Sequence, residues 1–292
     1  MRPFSYARPA SIAEAVALLA THGPDARVLA GGTDLIIRLR DGSARAAVVV
    51  DLKRIPELDP AIREIGGRLV VPATAVMTDI GADERIRQRF TALAEAAMVV
   101  GSVQIRNRAT LAGNLCNASP AADTAPALLV FGAEIVAVGP DGARRVPIDE
   151  LFVRSGETTL RPGELVTSIE LPLPAGPLGS THVRRTRRRG HDLASVTLAC
   201  SVDGAGVTRL AYGSLGPRPV LGVDPSGTLA DPTATAAARD VVLEQLLAGA
   251  SPSPRSMRAS PEYRLAMLGV LARRALATAV ARLAAGGGGA RP

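Results

Sequence analysis

The 292-residue sequence has no tryptophan, two cysteines and three histidines, and each shortage removes a class of chemistry. Cys116 and Cys200 cannot furnish the four thiolates of an iron–sulfur cluster, and His22, His182 and His191 lack the spacing of a metal-binding motif. No metal site is expected, so any metal chemistry belongs to another chain. There are no paired carboxylates and no histidine-centred set that would make a catalytic constellation. Aromatic residues make up 2%, and no DNA- or RNA-binding signature accompanies the formal charge of +7, so no nucleic acid is expected as a partner. Lys53 is the only lysine; the excess charge is arginine, read as solvated faces of the fold. No apolar run approaches the ~20 residues of a membrane span; Arg45 and Asp51 already bracket Val48, Val49 and Val50. The opening MRPFSYARPAS has no apolar signal core, and with the scarcity of cysteine this predicts a cytoplasmic, reduced protein.

What is present is 47% hydrophobic and 21% charged residues, enough apolar material for a folded α+β protein of two domains. Residues 11–22 read as an amphipathic helix, with Ser11 as N-cap, Glu14 completing a capping box and Gly23-Pro24 as the stop. A strand over 26–30 runs into Gly31-Gly32-Thr33-Asp34; a helix over 35–40 follows, capped by Asp34, and 46–51 is a second strand, parallel to the first. Further on, 68–71 is a strand, 78–85 and 90–100 are helices, and 128–138, 144–147 and 164–172 are strands of an antiparallel sheet. Pro172, Pro174, Gly176, Pro177 and Gly179 mark a boundary. The first domain is then 1–176, with subdomains of about 1–55 and 56–176, and the second is 177–287. This second domain has strands at 194–202 and 207–213 and helices at 233–247 and 263–285. The tail 288–292 is expected to be disordered.

Two stretches carry the functional reading. In LAGGTDL, Gly31 and Gly32 lack the Cβ atoms that would keep a ligand's phosphates from the main-chain amides, and Thr33 adds a hydroxyl donor. Some 80 residues later, TLAGNLCNASPAADTAPAL repeats that chemistry with Thr110, Gly113 and Asn114, followed by Asp123. No cation lies near Asp123 in sequence, so burying its carboxylate requires hydrogen bonds such as those of ribose hydroxyls. Two donor-rich turns can clamp one dinucleotide.

AGGTDL at 30–35 and TLAGNLCNASPAAD at 110–123 together resemble the FAD-binding (medium) subunit of the xanthine dehydrogenase and carbon monoxide dehydrogenase family of molybdenum hydroxylases. RPGELVTSIELP at 161–172, HVRRTRRRGHDLASV at 182–196 and RASPEYRLAMLGVLARRAL at 258–276 extend the resemblance over nearly the whole chain. It implies a vanillyl-alcohol-oxidase-type FAD domain of two α/β subdomains, followed by a small α+β domain of sheet and helices. It also implies that Val28, Leu29, Ala30, Gly31, Gly32, Thr33 and Asp34 wrap the pyrophosphate, and that Thr110, Gly113 and Asn114 complete that pocket. Asp123 would bind toward the adenosine half, Leu165 and Val100 would pack on the cofactor, and Arg184 would reach the flavin or ribityl chain.

The chain departs from the family pattern in places. His182 and Arg184 stand where a Tyr and a Lys are usual, and the planar guanidinium of Arg184 offers a different hydrogen-bond geometry. Ala112 stands where a glycine usually precedes Gly113, which would defeat FAD binding if the backbone there had positive φ. Arg188 and Asp192 match a recurring pair, read as a structural ion pair.

The implied partners are a large molybdopterin-binding subunit and a small [2Fe–2S] subunit, from which electrons reach FAD before leaving to NAD, a quinone or oxygen. The alternatives are a stand-alone flavin oxidoreductase of the same FAD fold and a FAD-free scaffold homologue.

Overall fold

The computed structural model describes residues 2–188 and 190–287; the 288–292 tail lies outside the described residues. The N-terminal layer runs β1 (Ser5–Ala7), α1 (Ile12–His22), β2 (Ala26–Leu29), α2 (Leu35–Asp41) and β3 (Val48–Asp51). Its strands form a parallel sheet in the order β1-β3-β2, so β2 is an edge. The Ser11 hydroxyl caps α1 by accepting from the Glu14 amide at 3.1 Å, while the Glu14 carboxylate accepts from the Ala10 amide, one residue before the expected partner. Ala15, Val16 and Leu19 turn inward onto the fully buried β3, which is why the helical spacing of α1 was readable.

The middle layer begins with β4 (Arg63–Ile65) and β5 (Arg68–Pro72) and continues through helices α3 (Met77–Ala82), α4 (Glu84–Arg89), α5 (Thr91–Met98), α6 (Val103–Arg106), α7 (Leu111–Cys116) and α8 (Thr124–Val130). It closes with β6 (Glu134–Gly139), β7 (Gly142–Pro147), α9 (Ile148–Leu151), the hairpin β8 (Phe152–Arg154) and β9 (Glu157–Thr158), and β10 (Leu165–Pro172). Five strands pair antiparallel in the order β4-β5-β10-β6-β7.

Two expectations fail here. The helix expected over 78–85 is two helices, because Asp83 is extended and its carboxylate instead accepts from the amides of Arg85 and Ile86 to start a new one. Residues 128–130, expected in a strand, end α8, all seven residues of which are buried. A run that is apolar on every side carries no period, so helix and strand cannot be told apart in it.

The C-terminal layer has β11 (Leu178–Arg185), β12 (Val196–Asp203), β13 (Thr208–Gly213) and β14 (Val220–Asp224) in an antiparallel sheet of sequential order, then α10 (Ala236–Leu247) and α11 (Pro261–Ala284). The sequence reading missed β11 and β14. Strand β12 explains how the layers join. Leu198, Cys200 and Val202 face α11, while the smaller Thr197, Ala199 and Ser201 alternate to the other side. There Ala199 and Ala211 enter the core of the middle layer, and the Ser180 hydroxyl accepts from the Ala92 amide of α5 at 3.2 Å. Across the same boundary Arg282 of α11 reaches Glu95 of α5 at 2.6 Å, and the Glu95 carboxylate also accepts from Thr181 and the His182 amide. The last sheet is thus fixed against the middle layer by packing and by a charged latch.

The candidate cofactor cleft

Strand β2 leads into the site. Asp25 and Leu29 offer their carbonyls toward β3, so by the alternation of a parallel strand the main-chain groups of Val28 point to the open edge. The chain then turns at Gly31 and Gly32. A Cβ on Gly31 would lie 2.8 Å from the carbonyl carbon of Arg108 and closer still to its oxygen, so the first turn rests directly on the backbone that leads into the second. Gly32 has φ +77°, and a Cβ on it would meet the Leu29 side chain.

The second turn is held from its own side. The Met77 amide donates to the Ala109 carbonyl at 2.9 Å, and Thr110 forms an isolated bridge with Val76. The Thr110 hydroxyl accepts from the Gly113 amide at 3.1 Å and caps α7, so the stretch read as a loop is a short helix. Ala112 lies inside that helix and is not among the residues with positive φ, so its methyl group is compatible with the backbone. The Asn114 carbonyl accepts from the Thr124 hydroxyl at 2.7 Å, which leaves its NH2 group to donate elsewhere. The Asn117 amide approaches the Asp34 carboxylate at 3.4 Å and ties the two turns together.

Between them lies a cleft of about 620 Å³, within the range of small-molecule sites. Val28, Ala30, Gly31, Gly32, Thr33, Asp34, Val100, Thr110, Gly113, Asn114, Asp123, Leu165 and Arg184 all line it. Leu29 does not, because strand alternation turns its side chain beneath Gly32. Asp34 is no cap: its backbone is already helical and its side chain makes no capping bond. Burial pushes its carboxyl upward, with Arg38 opposing.

Asp123 departs most from expectation. Its carboxylate is buried and receives Arg184 at 2.9 Å, a cation 61 residues away in the chain. The His182 ring stands 3.5 Å from the other carboxylate oxygen but bonds the Thr197 hydroxyl at 2.9 Å. That second oxygen, Oδ1, is buried without a hydrogen-bond partner, on a residue that lines the cleft. Arg188 and Asp192 are not a side-chain pair. Asp192 accepts from the amides of Arg187 and Arg188, and the guanidinium nearest it, at 3.6 Å, is that of Arg187.

Sequence reasoning also missed residues on the wall: Arg27, Arg38, Glu164 and the stretch His191, Asp192, Leu193. Glu164 was within a quoted motif, yet nothing local told of its bidentate partner Arg144, which donates at 2.6 and 2.8 Å. That hydrogen bond holds the Glu164 carboxyl below the usual carboxylate range. A depressed folded-state value means stability that is present above the unfolded value and lost as pH falls through the folded one. Glu164→Gln is therefore expected to flatten the loss of stability below about pH 4.5, as read from urea midpoints across the acid range. An unchanged acid slope would count against it.

The cleft fits a flavin dinucleotide on three grounds: amides and a hydroxyl at two abutting turns, a free buried acceptor for a sugar or ribityl hydroxyl, and an apolar wall at Val100, Ile105 and Leu165. Among the described residues no group of three His, Cys, Asp or Glu side chains could hold a metal ion, and no helix is long and apolar enough to cross a membrane.

Comparison with known proteins agrees with that chemistry. The family described as FAD binding domain in molybdopterin dehydrogenase matches residues 2–174, and that described as CO dehydrogenase flavoprotein C-terminal domain matches 181–279. The chain belongs to this flavoprotein family. FAD is its cofactor, and its place is among FAD-dependent oxidoreductase subunits.

Relatives of the flavoprotein include the xanthine dehydrogenase FAD-binding subunit of Escherichia coli O157:H7, 31% identical over 288 residues, with 97% of each chain covered. The carbon monoxide dehydrogenase medium chain of Hydrogenophaga pseudoflava is 32% identical over 285 residues, covering 96% of this chain and 98% of that one. Among solved structures, the cyanide-inactivated Cu,Mo-CO dehydrogenase aligns with a TM-score of 0.88 at 31% identity, over 97% of this chain and 100% of that chain. Quinoline 2-oxidoreductase from Pseudomonas putida 86 aligns with a TM-score of 0.85 at 26% identity, over 97% and 98%.

Proposed function

We propose that this chain is the electron-transfer subunit of a cytoplasmic molybdenum hydroxylase. It receives electrons from a small [2Fe–2S] subunit, with a large molybdopterin-binding subunit as the place of substrate oxidation, and passes them to NAD, a quinone or oxygen. Residues 1–176 hold FAD and 177–287 complete the cleft. The observation that carries this reading is the seating of Gly31 on the Arg108 backbone, which brings the two donor-rich turns to one ligand.

FAD, when bound, supplies the step between paired and single electrons. The chain supplies position. Val28, Ala30, Gly31, Gly32, Thr33 and Asp34 would line the pyrophosphate side, with Thr110, Gly113 and Asn114 opposite. Leu165 and Val100 would exclude water beside the ring, and Asp123 and Arg184, paired with each other, would meet one and the same part of the cofactor, so that they cannot serve its adenosine and flavin ends separately.

The two cysteines provide a direct test. Cys116 is exposed and lines the cleft, whereas Cys200 is 0% exposed in the core. Crowding around its sulfur pushes the Cys116 thiol up to about 12, so in apoprotein a thiol reagent at alkaline pH is expected to modify Cys116 slowly but ahead of Cys200, and saturating FAD should protect it while flavin fluorescence is quenched and the visible flavin bands appear. No quenching and no protection would instead favour the FAD-free scaffold. Turnover by the chain alone, with no partner co-purifying, would favour a stand-alone oxidoreductase.

A further inference from the structure

Arg264 is a buried cation without an acid. It lies in the first turn of α11 with 4% of its surface exposed, and its one hydrogen bond among the described residues runs from Nε to the carbonyl of Ser195 at 3.0 Å. Among the described residues no carboxylate pairs with it. Burial and the neighbouring Arg258 both push its pKa down. The guanidinium is partly desolvated and faces no counter-charge among the described residues, so the contact through which it can act is the carbonyl that it holds.

Ser195 ends the segment that re-enters the sheet at β12, and the residues just before it form a wall of the cleft. His191, Asp192 and Leu193 line that wall, with His191 and Leu193 exposed toward the cavity. Tyr263, the residue before Arg264, grips the other arm: its hydroxyl accepts from Arg185 Nε at 2.8 Å at the end of β11. Ser195 closes the two arms on each other, donating from its amide at 2.8 Å and its hydroxyl at 3.0 Å to the Arg185 carbonyl. The Ser214 hydroxyl holds the Ala194 carbonyl at 2.8 Å, and the Ser214 amide reaches back to Pro120 in the middle layer.

We propose that Tyr263 and Arg264 are positioning residues, through which the start of α11 fixes the 190–195 wall against bound FAD from the far side of the sheet. This rests on the FAD-cleft reading above. The helix is remote from the cleft and acts only through Arg185 and Ser195.

The test is an FAD titration of the full chain, followed by flavin fluorescence and by the visible circular dichroism of the bound flavin. Measurements are made well below the unfolding temperature of every variant. Arg264→Met is expected to raise the FAD Kd about tenfold and to alter the dichroism, and Arg264→Lys, whose ammonium can still donate to Ser195, to recover part of both. Leu268→Ala, a core substitution one turn further along the same helix, serves as control: it should lower the unfolding temperature yet leave the Kd and dichroism as in the parent. Equal Kd values for Arg264→Met and the parent would overturn the proposal, as would a Leu268→Ala effect as large as that of Arg264→Met. Failure of the parent itself to bind FAD would sink the cleft reading. Should Arg264→Met not fold, Tyr263→Phe and Ser195→Ala interrupt the same clamp more gently and are expected to weaken FAD binding in the same direction.

Discussion

Gly31→Ala is expected to abolish FAD binding. The added Cβ would stand 2.8 Å from the carbonyl carbon of Arg108, with the oxygen nearer and the Cα of Ala109 at 3.0 Å. The obstacle is backbone on both sides, which no rotamer change can relieve, so the two turns must separate. Separation moves the Gly31 and Gly32 amides away from Thr110 and Gly113 and so dismantles the phosphate site. A loss of roughly a hundredfold or more in affinity, about 2.8 kcal/mol, follows, and the purified protein should lack the flavin bands while keeping its far-ultraviolet circular dichroism. The contrast is Gly66→Ala, at a surface turn where a Cβ meets nothing within 4 Å; its positive φ costs some stability, but FAD should still bind. Retention of flavin by Gly31→Ala would mean that the close approach of the turns is not what builds the site.

Asp123→Ala should be the most destabilising single change on the cleft wall. Its carboxylate is 8% exposed and its partner Arg184 18%, so removal of the acid leaves a largely desolvated guanidinium without a counter-charge. Breaking such a pair from one side costs about 3–5 kcal/mol. Arg184→Met should be milder in stability, because the orphaned carboxylate retains the nearby His182 ring at 3.5 Å. The double variant is expected to regain part of what Asp123→Ala loses, which a double-mutant cycle on urea midpoints reads directly. For FAD binding the order differs: Asp123→Ala also removes the unpartnered acceptor Oδ1, so its affinity should stay low in the double variant. Strict additivity of the two stability losses would show that the pair is not coupled.

The two variants test different kinds of information. Gly31 and Gly32 stood out in the sequence because a strand, two glycines and a helix follow one another within a few residues. The Asp123–Arg184 pair did not. Sequence reasoning left Asp123 without a cation, since its partner lies 61 residues further on, in a strand the reading had not foreseen. Strand β11 was obscured by its own composition. Its arginines were read with the other solvated charge, Arg184 alone being assigned to the cofactor through the family resemblance, whereas Gly179, Ser180, Thr181 and His182 are buried small or polar residues that satisfy their groups against α5 and β12. The Arg188–Asp192 expectation failed for a related reason: a carboxylate between several arginines can be satisfied by amides as well as by guanidinium groups, and only the loop's path selects between them.

By itself the sequence determined the segments whose signals are local: the Ser11-capped helix α1, the Gly31-Gly32 turn after a strand, and the strand that is β12. Such features depend on side chains within a turn or two of one another, and periodicity records them. The tertiary structure alone decided that the first turn rests on Arg108, that Arg184 neutralises Asp123, that Leu29 faces away from the cleft, and that the last sheet brings His191 and Leu193 to its wall. Those relations exist only once three sheets have packed, because contacts between residues far apart in the chain are set by the close fit of layers and leave no pattern along any one of them.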